Sequence, residues 1–208
     1  MTPVFDYRAL RLLMGIIAVA LPIVVSAIST TALSSISASY HTESRDFFVG
    51  LLFVVAALLW AYNGHAPAES RWSKTASVAA IAVALLPTAC DTCPTTAVSV
   101  THYVAAGVLF SILAYFCFVY FRMKTKGMPG KKGRRSKIYF VCGLIMVACM
   151  LAALVANFAL PPETLKALRV TYWAEAIALG AFGLGWIVAG KYIPWLIDRE
   201  EALHLFRA

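Results

Sequence analysis
The sequence predicts an all-α integral membrane protein: one domain over residues 1–208, built as a bundle of six transmembrane helices. Three observations lead there. Hydrophobic residues make up 61% of the 208 and charged residues only 13%, with a mean hydropathy of +0.78; a soluble domain has roughly 45–50% apolar and about 25% charged residues. Six apolar runs punctuate the chain, at about 12–29, 47–62, 75–89, 98–121, 138–160 and 170–196. The positive charge is concentrated in one stretch. Six spans of roughly 20 residues with short connections account for the whole length, which leaves no room for a separate soluble domain.

The first run follows Arg8 and Arg11 and contains Pro22. It is longer than a signal-peptide core of about 7–15 residues, so it reads as a retained first span. The second and third runs are short and are expected to borrow flanking Tyr62 and Trp72, side chains suited to a membrane interface. The fourth run is rich in aromatics, among them Tyr115, Phe116 and Tyr120, which read as lipid-facing or interfacial. The short connections predict antiparallel neighbours. In the last run Ala181, Gly185 and Ala189 recur at four-residue spacing and let helices approach closely. Packing within the chain is the first reading of that row, and a homo-oligomer contact the second. The tail from Asp198 onward is polar, with Leu203 and Phe206 suited to the membrane surface.

Orientation follows from the basic residues. Eight lie between Arg122 and Lys137 with no acid among them, equal to the net charge of +8 of the whole chain. The positive-inside rule places that loop in the cytoplasm. Counting from it, both termini and the 63–74 loop are cytoplasmic, and the loops at 30–46, 90–97 and 161–169 lie outside an inner (plasma) membrane. The block is first a topology determinant and second a contact for anionic lipid head groups. No nucleic-acid partner is expected.

The stretch from Ser35 to Gly50 is the longest polar run between two apolar segments that is not a plain charged tether. With His41 and Asp46 there, His102 early in span four and Glu175 about five residues into span six, four ionisable groups fall near the outer side. A carboxylate inside a span is costly unless partnered or protonated. Two imidazoles and a carboxylate can hold zinc and leave a position for water. The same pairings can act as general acid and base, or merely lock helices together. The candidate catalytic set is Ser37, His41, Asp46, His102 and Glu175, and the candidate zinc ligands are His41, His102 and Glu175. Cys90 and Cys93 lie in an outer loop where a disulfide can form; a redox pair or free thiols are the alternatives. Cys117, Cys142 and Cys149 read as packing residues.

The runs Ser35–Thr42 and Arg45–Gly50, with Pro87-Thr88, Cys90, Cys93, His102-Tyr103 and the Glu175…Gly185-Trp186 segment, resemble a signature of small bacterial membrane proteins whose domain has no assigned function, in the neighbourhood of the DRAM-like proteins. More distantly, Ser37, His41 and Asp46 resemble the Ser…His…Asp pattern of the CREST membrane hydrolases (the alkaline ceramidases and the adiponectin-receptor kind). That resemblance implies a zinc-binding His41 with Ser37 and Asp46 in support. The His-x-x-x-His pair of that family's last helix has no counterpart here, so His102 and Glu175 would have to replace it. Three functions follow in order: a membrane protein whose outer His/carboxylate cluster binds a lipid or small ligand, a zinc-dependent lipid hydrolase, and a small transporter.

Overall fold
The computed structural model describes residues 7–90, 95–198 and 201. Among them there are helices and turns and no strand. Seven α-helices follow in order: α1 (Tyr7–Ile28), α2 (Arg45–Ala61), α3 (Pro67–Leu85), α4 (Ala97–Tyr115), α5 (Gly130–Ala159), the short α6 (Pro162–Ala167) and α7 (Val170–Gly190). A 3-10 turn covers Ser37–His41, another covers Pro194–Leu196, and a π-helical turn, Phe116–Tyr120, prolongs α4.

The helix boundaries have local causes. Pro67 occupies the first turn of α3, where its missing N–H costs nothing, and the helix ends just before Pro87, which disfavours helical backbone in the residue ahead of it. Thr96 caps α4: its side chain accepts from the Ser99 N–H, and the Ser99 hydroxyl accepts from the Thr96 N–H. Along α5, Arg135, Tyr139, Cys142 and Met146 form one buried stripe at helical spacing.

The long helices alternate in direction. Each packs on its chain neighbour, and α7 closes the set by packing on both α5 and α1. The α1–α7 contact is the most extensive, and glycine makes it close. A Cβ on Gly15 would lie 2.6 Å from the Gly183 carbonyl oxygen, and one on Gly183 would lie 2.6 Å from Val19 Cγ2. The Ala181/Gly185/Ala189 row is buried inside the chain; a Cβ added at Gly185 would meet Cys117 Sγ at 3.1 Å.

Four of these helices are long and apolar enough to cross a membrane: α1, α4 with its π turn, α5 and α7. Of the six spans expected, these four meet that length and apolarity among the described residues. The helix α2 has only 17 residues, and the first half of α3 carries Glu69, Arg71 and Lys74. The third apolar run was expected at 75–89; its helix begins earlier, at Pro67, and takes in Glu69, which is buried rather than solvated. The last run was expected to reach 196, but α7 stops at Gly190, where Lys191 turns left-handed (φ 59°).

Candidate functional site
The expected outer-side residues fall into two separate groups. The first serves the end of α3. Carbonyls at that end and just beyond it have no partner within the helix, and side chains from elsewhere satisfy them. Tyr40 Oη donates to the Leu85 carbonyl at 3.3 Å, His102 Nδ1 to that of Leu86 at 2.7 Å, and His41 Nε2 to that of Thr88 at 2.8 Å. The Tyr103 hydroxyl accepts from Thr88 Oγ1 and the Ala89 N–H. Arg45 donates to the Tyr40 hydroxyl. The next residue, Cys90, is disulfide-bonded; Cys93, its expected partner, lies outside the described residues. His102 is buried and His41 exposed.

The second group ties the start of α7 to the 33–37 loop. Glu175 accepts from the Ile36 N–H, Arg169 Nε donates to the Leu33 carbonyl at 2.8 Å, and the Tyr172 N–H donates to Ser34 at 3.0 Å. Ser37 is buried beside Ser35, with hydroxyls 3.2 Å apart. Asp46 is exposed in the first turn of α2, where a carboxylate complements the helix dipole. Among the described residues, no group of three or more His, Cys, Asp or Glu side chains is placed to hold a metal ion. His41, His102 and Glu175 instead each engage backbone, as interhelical latches do.

The opposite end of the bundle holds a cavity of about 740 Å³. The start of α1, the α2–α3 connection, the π turn after α4, the start of α5 and the end of α7 all line it. Six cations (Arg8, Arg11, Lys124, Lys132, Arg135 and Lys191) face two carboxylates, Glu69 and Glu201. Tyr7, Tyr120, Phe121 and Tyr139 supply aromatic wall. The π turn puts Tyr120 and Phe121 there; such turns often re-aim side chains at functional sites.

Two buried arrangements organise the cavity. In the first, Arg11 donates through Nη2 to the Tyr62 hydroxyl and through Nη1 to the Ala189 carbonyl at 3.1 Å. Tyr62 Oη donates onward to Glu69 Oε1 at 2.6 Å, and the His65 N–H donates to Glu69 Oε2 at 2.7 Å. The Arg11 guanidinium lies 5.2 Å from the Tyr62 ring centre and 5.6 Å from that of Phe121, within cation–π range. Gly64 makes the loop possible: its φ is +63°, and a Cβ there would run into the Glu69 carboxylate. Beneath, Trp186 is fully buried among Tyr62, Phe116, Phe121 and Phe182. Burial first, then the charges of Lys124 and Arg11, hold the His65 imidazole below its ordinary pKa.

In the second arrangement, Arg135 is 1% exposed. Its Nη2 pairs with Glu201 Oε2 at 2.8 Å, and Lys191 Nζ reaches Glu201 Oε1 at 2.8 Å. Arg135 Nε and Nη1, and Arg11 Nε, are buried with no hydrogen-bond partner among the described residues. Burial alone would raise the pKa of Glu201. The hydrogen bond from Lys191 and the charge of Arg135 outweigh it and hold the carboxyl below its ordinary range.

Sequence reasoning took the basic residues as topology signals, read Tyr62 as interfacial where it is fully buried, and passed over Glu69. Two signals were available. Glu69 is the lone acid of the 63–74 loop, and Arg135 extends the apolar stripe of α5 by one turn. No protein-family model matches the chain, and comparison with curated proteins and with solved structures gives no match. The geometry therefore carries the functional reading by itself.

Proposed function
We propose that the chain is a multi-span inner-membrane protein that binds an anionic ligand, a membrane lipid or a small molecule, in the basic cavity, and that this cavity faces the cytoplasm. The observation that carries the reading is Arg135: a guanidinium 1% exposed, lining a roomy cavity, with two N–H groups lacking partners among the described residues. Glu201 offsets the Arg135 charge from one side, yet each unmet buried donor still costs about 1–3 kcal/mol. An oxyanion in the cavity removes that cost. A volume of about 740 Å³ falls within the roughly 300–1,000 Å³ of typical ligand pockets. The four apolar helices support the membrane setting, and the basic loop at the cavity end supports the cytoplasmic side. The polar residues at the other end, with donors spent on backbone carbonyls, act as latches between helices.

Thermal unfolding of the full chain in an uncharged detergent tests this. Anionic lipids and small anions are expected to raise the midpoint, since a ligand at about 100 times its Kd stabilises by roughly 2.7 kcal/mol. Zwitterionic lipids are expected to leave it unchanged, and Arg135→Gln to abolish the anion response. An equal response to zwitterionic and anionic lipid, or an anion response that survives in Arg135→Gln, would contradict the proposal.

A further inference from the structure
We infer that the cavity is built for a phosphoryl group, and that the Glu201 carboxylate holds its place until the ligand displaces it. The inference rests on the anion-binding reading and narrows it to one ligand class. The cavity already grips an oxyanion, because Arg135 Nη2 and Lys191 Nζ each lie 2.8 Å from a different oxygen of Glu201. A carboxylate has only two oxygens: Lys191 hydrogen-bonds one, and the other is held beside Arg135 as an ion pair without a hydrogen bond. Arg135 Nε and Nη1 are still without acceptors among the described residues. A phosphoryl group brings three acceptor oxygens and a charge of about −1.5 to −2, so it can satisfy Lys191 Nζ, Arg135 Nη2 and a further Arg135 donor together. Guanidinium matches that geometry better than a lysine ammonium does.

Charge points the same way. Among the described lining residues, with Arg8 set aside, five cations face two carboxylates, and displacing Glu201 widens that excess. A divalent oxyanion offsets more of this than a carboxylate can. The aromatic wall of Tyr7, Tyr120, Phe121 and Tyr139 gives the uncharged body of the ligand an apolar surface. A phospholipid head group and a soluble phosphate ester share this chemistry.

Isothermal titration of the full chain in uncharged detergent, with three probes, tests the inference and separates the sources. The probes are glycerol 3-phosphate, dihexanoyl phosphatidic acid and hexanoate. At least one phosphoryl probe is expected to bind about tenfold or more tighter than hexanoate, the effect of one further charge-assisted hydrogen bond. Binding of glycerol 3-phosphate assigns a soluble ester; binding of phosphatidic acid alone assigns a lipid head group. Glu201→Gln, which leaves the cavity's cations in place, is expected to tighten phosphoryl binding, and Arg135→Lys to weaken it by about thirtyfold. Hexanoate binding as tightly as both phosphoryl probes overturns the phosphoryl assignment and leaves the anion cavity standing. Weaker binding in Glu201→Gln overturns the place-holder role. No binding by any of the three overturns both the inference and the reading beneath it.

Discussion

Tyr62 joins a cation to a carboxylate inside the protein, and its hydroxyl has no spare capacity. It accepts from Arg11 and donates to Glu69, with the ring fully buried. Tyr62→Phe keeps the ring and removes both bonds, leaving Glu69 Oε1 and one Arg11 donor buried and unmet. The expected loss is about 1–3 kcal/mol, read as a lower thermal midpoint; an unchanged midpoint would show that water replaces the hydroxyl. Glu201 sets a pH dependence whose sign follows from its lowered pKa. The Arg135–Glu201–Lys191 contact is fully present above the ordinary carboxylate value of 4.5 and is lost as pH falls through the lowered one. Stability is therefore expected to be insensitive to Glu201→Gln at the acid end of the titration and sensitive to it near neutrality. Single residues were the least legible scale. Ser37, His41, Asp46, His102 and Glu175 were chosen because polar groups in an apolar chain need a reason. In the structure His41, His102 and Glu175 engage backbone groups, Ser37 lies beside Ser35 and Asp46 is exposed; sequence spacing does not distinguish such bonds from ligand binding. Arg135 differs from its basic neighbours on α5 in helical phase, which puts it on the buried stripe.

At the level of elements, α7 is gripped on two faces. Gly183 meets α1, and Gly185 meets Cys117 in the π turn. Without a hydrophobic driving force between helices in lipid, close approach through small residues supplies much of the packing. Gly183→Val is expected to push α1 and α7 apart and to destabilise by about 1–3 kcal/mol, the usual cost of overpacking. Gly107, whose added Cβ meets nothing within 4 Å, is the control: Gly107→Ala should leave the midpoint unchanged or raise it slightly. Equal effects at the two positions would contradict the close crossing. The Ala181/Gly185/Ala189 row was visible as a packing motif because small residues at four-residue spacing form a stripe. The Gly15–Gly183 crossing was not, since it pairs single glycines on helices that are 168 positions apart. Helix existence was legible from hydropathy. The start of α3 was not, because a tertiary contact through Tyr62 buries Glu69.

For the whole molecule, the two ends differ in chemistry. One end is closed by latches onto the end of α3 and the start of α7; the other opens into a cavity with a surplus of cations. The helical, apolar character was legible in the composition, and four helices are long and apolar enough to cross a membrane; the charge asymmetry was legible as a single basic block. The cavity was not, because six segments far apart in sequence build it. If the basic end is cytoplasmic, reporter enzymes that require export should be inactive when fused after Gly127 and active when fused within the 161–169 loop; the reverse pattern would invert the assignment. The most direct test of the central claim is native mass spectrometry of the protein released from a mild, uncharged detergent, beside Arg135→Gln. The account predicts that the native chain carries or takes up a phosphoryl-bearing ligand at about one per chain and that the variant does not. Identical ligand retention by the two proteins would contradict a binding cavity centred on Arg135.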